Sequence, residues 1–191
     1  MSLQLPNIIV GLTGRRGSGK STAARMLNLE VPLKWNLYNL AFGEYLKEDL
    51  ANLVGGTVAT INKNKNTPTL RKVLQFVGDI RREENPAIYT NKITEFINNP
   101  VVKSPWFIII SDVRFLHEAN FIRSYPNSFI FRVQRPYKIY FDSSIDNHPS
   151  ETEQDQIKVD LHILNHQTEK HLQFEMQMLL TYIIDNLKLK I

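Results

Sequence analysis

Cysteine is absent from the sequence, which excludes a disulfide framework and thiolate chemistry. Long hydrophobic runs are absent too, since no apolar stretch approaches the roughly 20 residues that a membrane-spanning helix needs. The first residues lack the basic-then-apolar pattern of a signal peptide. The net charge of +4 suits an anionic ligand but does not by itself indicate nucleic-acid binding. These features predict a cytoplasmic protein with no membrane partner and no stable nucleic-acid partner.

Internal repeats, low-complexity tracts and linker-like segments are also lacking in the 191 residues. A chain of this length with 42% hydrophobic residues can bury a full core. We therefore expect residues 1–191 to form a single domain.

A glycine-rich segment near the N-terminus, residues 10–22, reads VGLTGRRGSGKST. It fits the phosphate-binding P-loop pattern G-x-x-x-x-G-K-[ST] without a mismatch. A β-branched run, Ile8–Val10, precedes it, and residues 21–29 have helical spacing. A turn between strand and helix directs backbone N–H groups and the positive helix end at one anion. The segment predicts an ATP site in which Lys20 contacts the β- and γ-phosphates and Ser21 binds Mg²⁺. The expected ATP-binding residues are Gly14, Arg15, Arg16, Gly17, Ser18, Gly19, Lys20, Ser21 and Thr22.

Strand and helix patterns alternate along the rest of the chain. The candidate strands are residues 8–10, 38–42, 107–110, 129–133 and 162–164, and the candidate helices after the first are 44–54, 68–85, 86–98, 116–124 and 168–187. The polar stretch 62–67 is expected to be a loop. Such alternation behind a P-loop predicts an α/β three-layer fold. Its parallel five-stranded sheet has helices on both faces and binds its ligand at the carboxyl ends of the strands.

Asp112 follows the most apolar of these strands. A strand that ends in an acid next to a P-loop can direct that acid at a bound Mg²⁺ ion, so we expect Asp112 to be a metal ligand together with Ser21. The alternative is a strand-end aspartate that only caps the next turn. Arg114, two residues later, can point at a phosphate from the same edge of the sheet.

Polar residues form one stripe on the helix that follows residue 67. The stripe consists of Arg71, Gln75, Gly78 and Arg82, and the apolar side consists of Leu70, Val73, Leu74 and Val77. Arginine can grip a phosphate with two N–H groups, and an amide can read a base or a sugar. Glycine inside a helix is unfavourable and indicates close packing, here room for a flat base or sugar. The alternative is a solvated helix face.

Cations and an aperiodic segment follow the strand 129–133. Arg132, Arg135 and Lys138 can neutralise a migrating phosphoryl group, and mobile lids commonly deliver such cations. We expect a lid over residues 135–150. The segment His148-Pro-Ser-Glu151 closes it, and its alternative interpretation is a helix cap formed by Ser150 and Glu153.

Six segments in series resemble phage-type deoxynucleoside monophosphate kinases. They are the P-loop, Phe42-Gly-Glu-Tyr-Leu-Lys47, the stripe from Arg71 to Arg82, Ser111-Asp-Val-Arg-Phe115, Arg132 with Arg135-Pro136, and His148-Pro-Ser-Glu151. The resemblance covers most of the chain. The P-loop alone is generic, and the order of the other five segments makes the match specific. Residues 55–67 match no motif.

The resemblance implies a P-loop kinase with a nucleoside-monophosphate-kinase-like fold and a lid. It uses ATP and Mg²⁺ to convert a (deoxy)nucleoside monophosphate to the diphosphate. Lys20, Asp112, Arg132 and Arg135 are the implied catalytic residues. The implied acceptor-binding residues are Lys47, Arg71, Gln75, Arg82, Arg114, His148 and Glu151. The expected partners are small nucleotides. The expected location is the cytoplasm, that of the host cell if a phage encodes the chain. Whether the chain forms a homodimer stays open.

Two other functions stay open at this stage. Phosphomevalonate kinases share part of the pattern, including a Ser-Asp-x-Arg segment, so the acceptor can be another small phosphorylated molecule. A nucleic-acid-stimulated P-loop ATPase is the second alternative. Val113, rather than a glutamate that could activate water, follows Asp112, and this argues against an ATPase. The base and the sugar of the acceptor are not determined by these patterns.

Overall fold

One parallel sheet organises the part of the chain that the structure, a computed structural model, describes: residues 5–64, 67–135, 148–166 and 168–189. Within these residues, five strands pair in the order β2-β3-β1-β4-β5. Each neighbouring pair is parallel. The strands are β1 (Ile8–Thr13), β2 (Asn36–Leu40), β3 (Trp106–Val113), β4 (Ser128–Gln134) and β5 (Leu161–Leu164).

Helices connect these strands and cover the sheet. They are α1 (Lys20–Glu30), α2 (Phe42–Val54), α3 (Val58–Asn64), α4 (Pro68–Glu84), α5 (Ile88–Ile97), α6 (Leu116–Arg123), α7 (Pro149–Thr152) and α8 (Glu169–Asn186), with a 3-10 turn at Glu153–Gln156. None of the helices in the described residues is both long enough and apolar enough to cross a membrane.

Both faces of the sheet are buried, which explains why the central strands are almost continuously apolar. Side chains alternate along β1, so Ile8 and Val10 pack with α1 and α8, whereas Ile9 points to the opposite face. That second face packs against α5 and α6 through residues such as Ile93 and Ile122. The predicted α/β three-layer fold is confirmed.

A third, smaller cluster fixes α4 at the edge of the molecule. Leu50 and Ala51 of α2 pack with Ile61 of α3, and Leu70, Leu74 and Val77 of α4 pack against them. The predicted loop at 62–67 was therefore wrong for residues 62–64, which belong to α3. The burial of Ile61 anchors this polar segment, a tertiary contact that local composition does not reveal. Val73 belongs to the predicted apolar side of α4, but it is 38% exposed and is not part of this cluster.

Two further predictions concern the second strand and the lid. The second strand was placed at 38–42, but β2 ends at Leu40 and Phe42 is already the first residue of α2. The expected lid at about 135–150 falls largely on residues 136–147, including Lys138, which lie outside the described residues.

Candidate active site

The carboxyl ends of β1 and β3 open onto one cavity of about 620 Å³. These two neighbouring strands mark the point where the strand order reverses, and ligands of open α/β sheets bind at such points. The cavity is lined by the P-loop, the first turn of α2, the polar side of α4, the end of β3, and α7. It therefore joins the predicted donor site to the predicted acceptor stripe.

Three glycines give the P-loop its shape. Gly14, Gly17 and Gly19 have φ angles of 135°, 72° and 102°, a region that side chains with a Cβ atom rarely adopt. A Cβ atom on Gly14 would lie 2.2 Å from the Val133 carbonyl oxygen of β4. No side chain caps the N-terminus of α1, whose first-turn N–H groups therefore suit an anion.

Asn165, a residue that the sequence analysis did not predict, supports the P-loop from behind. It lies directly after β5, is buried, and donates from Nδ2 to the Ser18 carbonyl oxygen at 2.9 Å. A Cβ atom on Gly19 would lie 2.2 Å from this Nδ2 atom. Asn165 could have been predicted from its position, because it is a polar residue at the carboxyl end of a predicted strand, where functional residues lie in this fold.

The Lys20 ammonium group is buried in the cavity wall. Its Nζ atom donates to the Gly14 carbonyl oxygen and, at 3.0 Å, to that of Arg15. The pKa of Lys20 is lowered to about 8, mainly by burial; Arg114 acts in the same direction, and Glu151 opposes the shift. A phosphate beside Lys20 would supply the negative charge that favours its protonated form.

Asp112 caps a helix that starts 70 residues earlier in the chain. Its Oδ1 atom accepts from Phe42 N at 2.8 Å and its Oδ2 atom from Gly43 N at 2.7 Å. Asp112 is therefore a helix cap, but of α2 and not of the next turn that the alternative named. Asp112 also lines the cavity together with Ser21. Each carboxylate oxygen keeps lone pairs that one N–H does not use, so this hydroxyl and carboxylate fit the oxygen ligation of Mg²⁺.

The polar side of α4 faces the cavity as the stripe predicts, through Arg71, Gln75 and Arg82. The expectation that Gly78 leaves room for a flat base or sugar was wrong, however. A Cβ atom there would lie 2.8 Å from Nη1 of Arg82 and 3.4 Å from Leu46. The glycine makes room for the guanidinium group of its own helix.

Two aromatic rings hold that guanidinium group in place. The Arg82 Cζ atom lies 4.1 Å from the centre of the Phe115 ring and 5.2 Å from that of Tyr89. Cation–π contacts of this kind fix the orientation of a planar guanidinium group. The sequence analysis predicted neither contact, because Phe115 is distant from Arg82 in sequence and Tyr89, although near in sequence, belongs to another helix, α5.

Glu118 is a buried acid that the sequence analysis also missed. Its Oε2 atom accepts from Arg114 N at 2.8 Å and from Phe115 N at 3.2 Å, and its Oε1 atom lies 4.0 Å from Nη2 of Arg82. Burial, with a contribution from Asp112, raises the pKa of Glu118 to about 8. The carboxyl group therefore connects the Arg114 backbone with the Arg82 side chain. The only local feature that could have pointed to Glu118 was its position as an acid early in α6.

Glu151 brings α7 into the cavity and contacts two of the predicted acceptor residues. Its Oε1 atom contacts Nη1 of Arg114 and lies 3.8 Å from Nη2 of Arg71. Its Oε2 atom accepts from the P-loop N–H of Arg16 at 3.4 Å. Burial alone would raise the pKa of Glu151, but the cations Arg114, Lys20 and Arg71 outweigh it and lower this pKa below its ordinary value.

His148 joins α7 to α4. Its Nε2 atom lies 2.9 Å from Asp79 Oδ2, and its Nδ1 atom accepts from Ser150 N at 3.1 Å. The helix cap predicted at Ser150 and Glu153 was therefore wrong, because His148 is the capping residue and Ser150 lies inside α7. Glu153 instead accepts from Leu116 N at 2.7 Å.

The remaining predicted cations lie at the margins of this site. Arg132 donates from Nη2 to the carbonyl oxygens of Gln154 and Ile157, at 2.7 and 2.8 Å. Arg135 lines the main cavity and also a second one of about 370 Å³ beside the P-loop. Lys47 lines the main cavity and contacts Glu44, its neighbour on α2.

Comparison with known proteins shows a sequence relative in a giant virus. A protein of Acanthamoeba polyphaga mimivirus named "Putative deoxynucleotide monophosphate kinase" is 32% identical over 182 residues, which cover 84% of this chain and 90% of the viral protein. No family model matches the chain.

Two kinases are among the solved structures that match this chain. An APS kinase of Mycobacterium tuberculosis is 16% identical, with 93% of this chain and 99% of that chain covered and a TM-score of 0.45. A sugar kinase of Janibacter sp. HTCC2649 is 14% identical, with 93% and 95% covered and a TM-score of 0.48.

Proposed function

The chain belongs to the deoxynucleotide monophosphate kinase family and is a phosphotransferase, and from this premise we propose that it transfers the γ-phosphoryl group of ATP to a deoxynucleoside monophosphate. The products are ADP and the deoxynucleoside diphosphate. The observation that carries the proposal is the single cavity in which the P-loop faces Arg71, Gln75 and Arg82 of α4.

The donor half of this cavity is built for a nucleoside triphosphate. Lys20 and the P-loop amides would hold the β- and γ-phosphates. Ser21 and Asp112 would hold Mg²⁺, which supplies positive charge at the phosphate oxygens. Because Asp112 also caps α2, the same carboxylate would link the metal position to the helix that carries Lys47.

The acceptor half presents guanidinium groups and one amide. Arg71 and Arg114 would grip the monophosphate, and Gln75 would read the base or the sugar. Arg82 is oriented by the rings of Phe115 and Tyr89 and completes this wall. The acceptor phosphate is itself a competent nucleophile, so catalysis is positioning and charge stabilisation without a dedicated general base.

The transferred group needs further positive charge in the transition state. Arg135 is the better-placed candidate among the described residues, because it borders both cavities. Arg132 binds two backbone carbonyl groups around the 3-10 turn, and its action on the transferred group stays a prediction. The lid, the homodimer and the cytoplasmic location also stay predictions.

A panel of acceptors tests the proposal. ADP release is measured with each deoxynucleoside and ribonucleoside monophosphate, with phosphomevalonate, and with DNA or RNA in place of an acceptor. The proposal expects ADP release above background with at least one deoxynucleoside monophosphate. Activity with phosphomevalonate alone, or ATP hydrolysis that only nucleic acid stimulates, would replace it by one of the two alternatives.

A further inference from the structure

Three cations surround one carboxylate in the wall of the main cavity. The carboxylate belongs to Glu151, and the cations are Lys20, Arg71 and Arg114. Like charges that are buried together repel one another unless an anion lies among them. In this structure the Glu151 side chain, which is only 5% exposed, supplies that anion.

The two oxygen atoms of this carboxylate have different surroundings. Oε1 faces the two guanidinium groups, in contact with Arg114 and 3.8 Å from Arg71. Oε2 accepts the P-loop N–H of Arg16 at 3.4 Å and the side-chain amide of Gln154, also at 3.4 Å. A P-loop amide on one side and two arginines on the other is the environment that a phosphate group needs. A carboxylate that only oriented Arg114 would not need the P-loop contact.

We propose that the Glu151 carboxylate occupies the position of a substrate phosphate in the nucleotide-free enzyme and that an entering phosphate displaces it from Arg71 and Arg114. The inference rests on the proposed function, because it identifies the phosphate position of that same site. Phosphate offers the same kind of acceptor oxygens with more charge, so it competes for the same guanidinium groups.

The short helix α7 permits this exchange without unfolding. The Glu151 backbone N–H donates to the His148 carbonyl oxygen at 2.8 Å, and His148 is bound to Asp79 of α4. These contacts hold the backbone of α7 while the Glu151 side chain rotates out of the cavity. Arg71 and Arg114 keep a paired anion at each stage, either the carboxylate or the phosphate, so no buried charge is left uncompensated.

Displacement has a measurable consequence for affinity. A phosphate that enters the wild-type site must break the Glu151 ion pairs, which reduces its net binding free energy. Removal of the carboxylate charge should therefore strengthen phosphate binding. A residue that only positions the arginines would have the opposite effect, because its loss would disorder them.

The test is a calorimetric titration of inorganic phosphate into the nucleotide-free protein. We compare the wild type with Glu151→Gln and with the matched control Glu153→Gln, which removes the same charge two residues away. The proposal expects Glu151→Gln to lower the Kd for phosphate at least tenfold and Glu153→Gln to change it less than twofold. An unchanged or higher Kd in Glu151→Gln would overturn it.

A second measurement tests the inference even if a Glu151 variant folds poorly. The rise in melting temperature with phosphate reports binding even when the variant is less stable at the start. Phosphate should raise the melting temperature of Glu151→Gln and of Glu151→Ala more than that of the wild type. An equal or smaller rise in both variants would also overturn the inference.

The outcome can be separated from that of the proposed function. If the acceptor panel shows transfer to a deoxynucleoside monophosphate but Glu151→Gln binds phosphate no more tightly, only the displacement of Glu151 is wrong. If Glu151→Gln binds phosphate more tightly but no monophosphate is phosphorylated, the anion position stands and the acceptor assignment fails.

Discussion

Asp112 accepts the backbone N–H of Gly43 through its Oδ2 atom at 2.7 Å, so the residue that ends β3 also caps α2. The predicted metal ligand is thus held in place by the N-terminus of α2, whose backbone N–H groups it accepts. One side chain serves two purposes here, and a single substitution should affect both.

Replacement of Asp112 by asparagine should change both Mg²⁺ binding and stability, and each is measured separately. We expect Asp112→Asn to raise the Mg²⁺ concentration needed for half-maximal activity, because an amide is a weaker ligand, with partial rescue at excess Mg²⁺. Stability should fall by about 1 kcal/mol, since the amide accepts at only one of its two polar atoms. Mg²⁺ titrations and urea unfolding measure the two effects. A Mg²⁺ titration that overlays the wild type would leave Asp112 as a cap alone.

The acceptor wall on α4 is tested by two truncations. Arg71→Ala and Gln75→Ala should each raise the KM for the monophosphate by roughly tenfold, about 1.4 kcal/mol, with little change in the KM for ATP. Lys72→Ala is the matched control, because Lys72 is exposed on the same helix. Steady-state kinetics with each substrate varied in turn give both constants. If the KM for ATP rises and the KM for the monophosphate does not, the donor and acceptor sites are assigned the wrong way round.

Gly78 provides a steric test of the same wall. A Cβ atom there would lie 2.8 Å from Arg82 Nη1, so Gly78→Val should push Arg82 out of its position over the Phe115 ring. We expect a large loss of acceptor binding with ATP binding retained. Separate titrations with ATP and with the monophosphate measure this. Wild-type acceptor affinity in Gly78→Val would show that the position of Arg82 does not matter.

Glu118 should make the stability of the protein depend on pH. Its pKa is about 8 in the folded chain, against an ordinary value of 4.5. The stabilisation associated with its proton is complete below pH 4.5 and is lost as the pH rises through 8, because the unfolded chain releases this proton first. Glutamine does not ionise. The free energy of unfolding of Glu118→Gln relative to the wild type should therefore increase by about 2–4 kcal/mol between pH 5 and pH 8.

Denaturant unfolding at a series of pH values, with the two proteins side by side, checks this prediction. All other ionisable groups are shared, so the difference between the curves isolates Glu118. Parallel curves over this range would mean that the Glu118 carboxyl group ionises at its ordinary pKa in the folded chain.

Local sequence patterns were sufficient to predict where the P-loop and the stripe on α4 lie. Each depends on residues within a few positions of one another, such as Gly19 with Lys20 and Arg71 with Gln75. The partners of these residues could not be predicted in the same way. Glu151 meets the P-loop across 135 positions of sequence, and Asp112 meets α2 across 69, so both contacts depend on the tertiary fold.

The same limit explains the missed helix α3 and the misinterpreted glycine. Ile61 is a single apolar residue in a polar segment, and only its burial against Leu50 and Ala51 shows why the segment is helical. The packing around Gly78 was predicted correctly, but its occupant is the Arg82 side chain rather than a ligand. Local sequence predicts that a close approach occurs, not which group makes it.

The most direct test of the central claim follows the phosphoryl group itself. The protein is incubated with Mg²⁺, ATP labelled at the γ-phosphate and a deoxynucleoside monophosphate, and the labelled products are separated. We predict that the label appears in the β-phosphate of the deoxynucleoside diphosphate. Lys20→Ala, which removes a buried phosphate contact worth several kcal/mol in the transition state, should slow the transfer roughly a thousandfold while the protein stays folded. Label that appears only as inorganic phosphate with every monophosphate, or transfer at the wild-type rate by Lys20→Ala, would contradict the account.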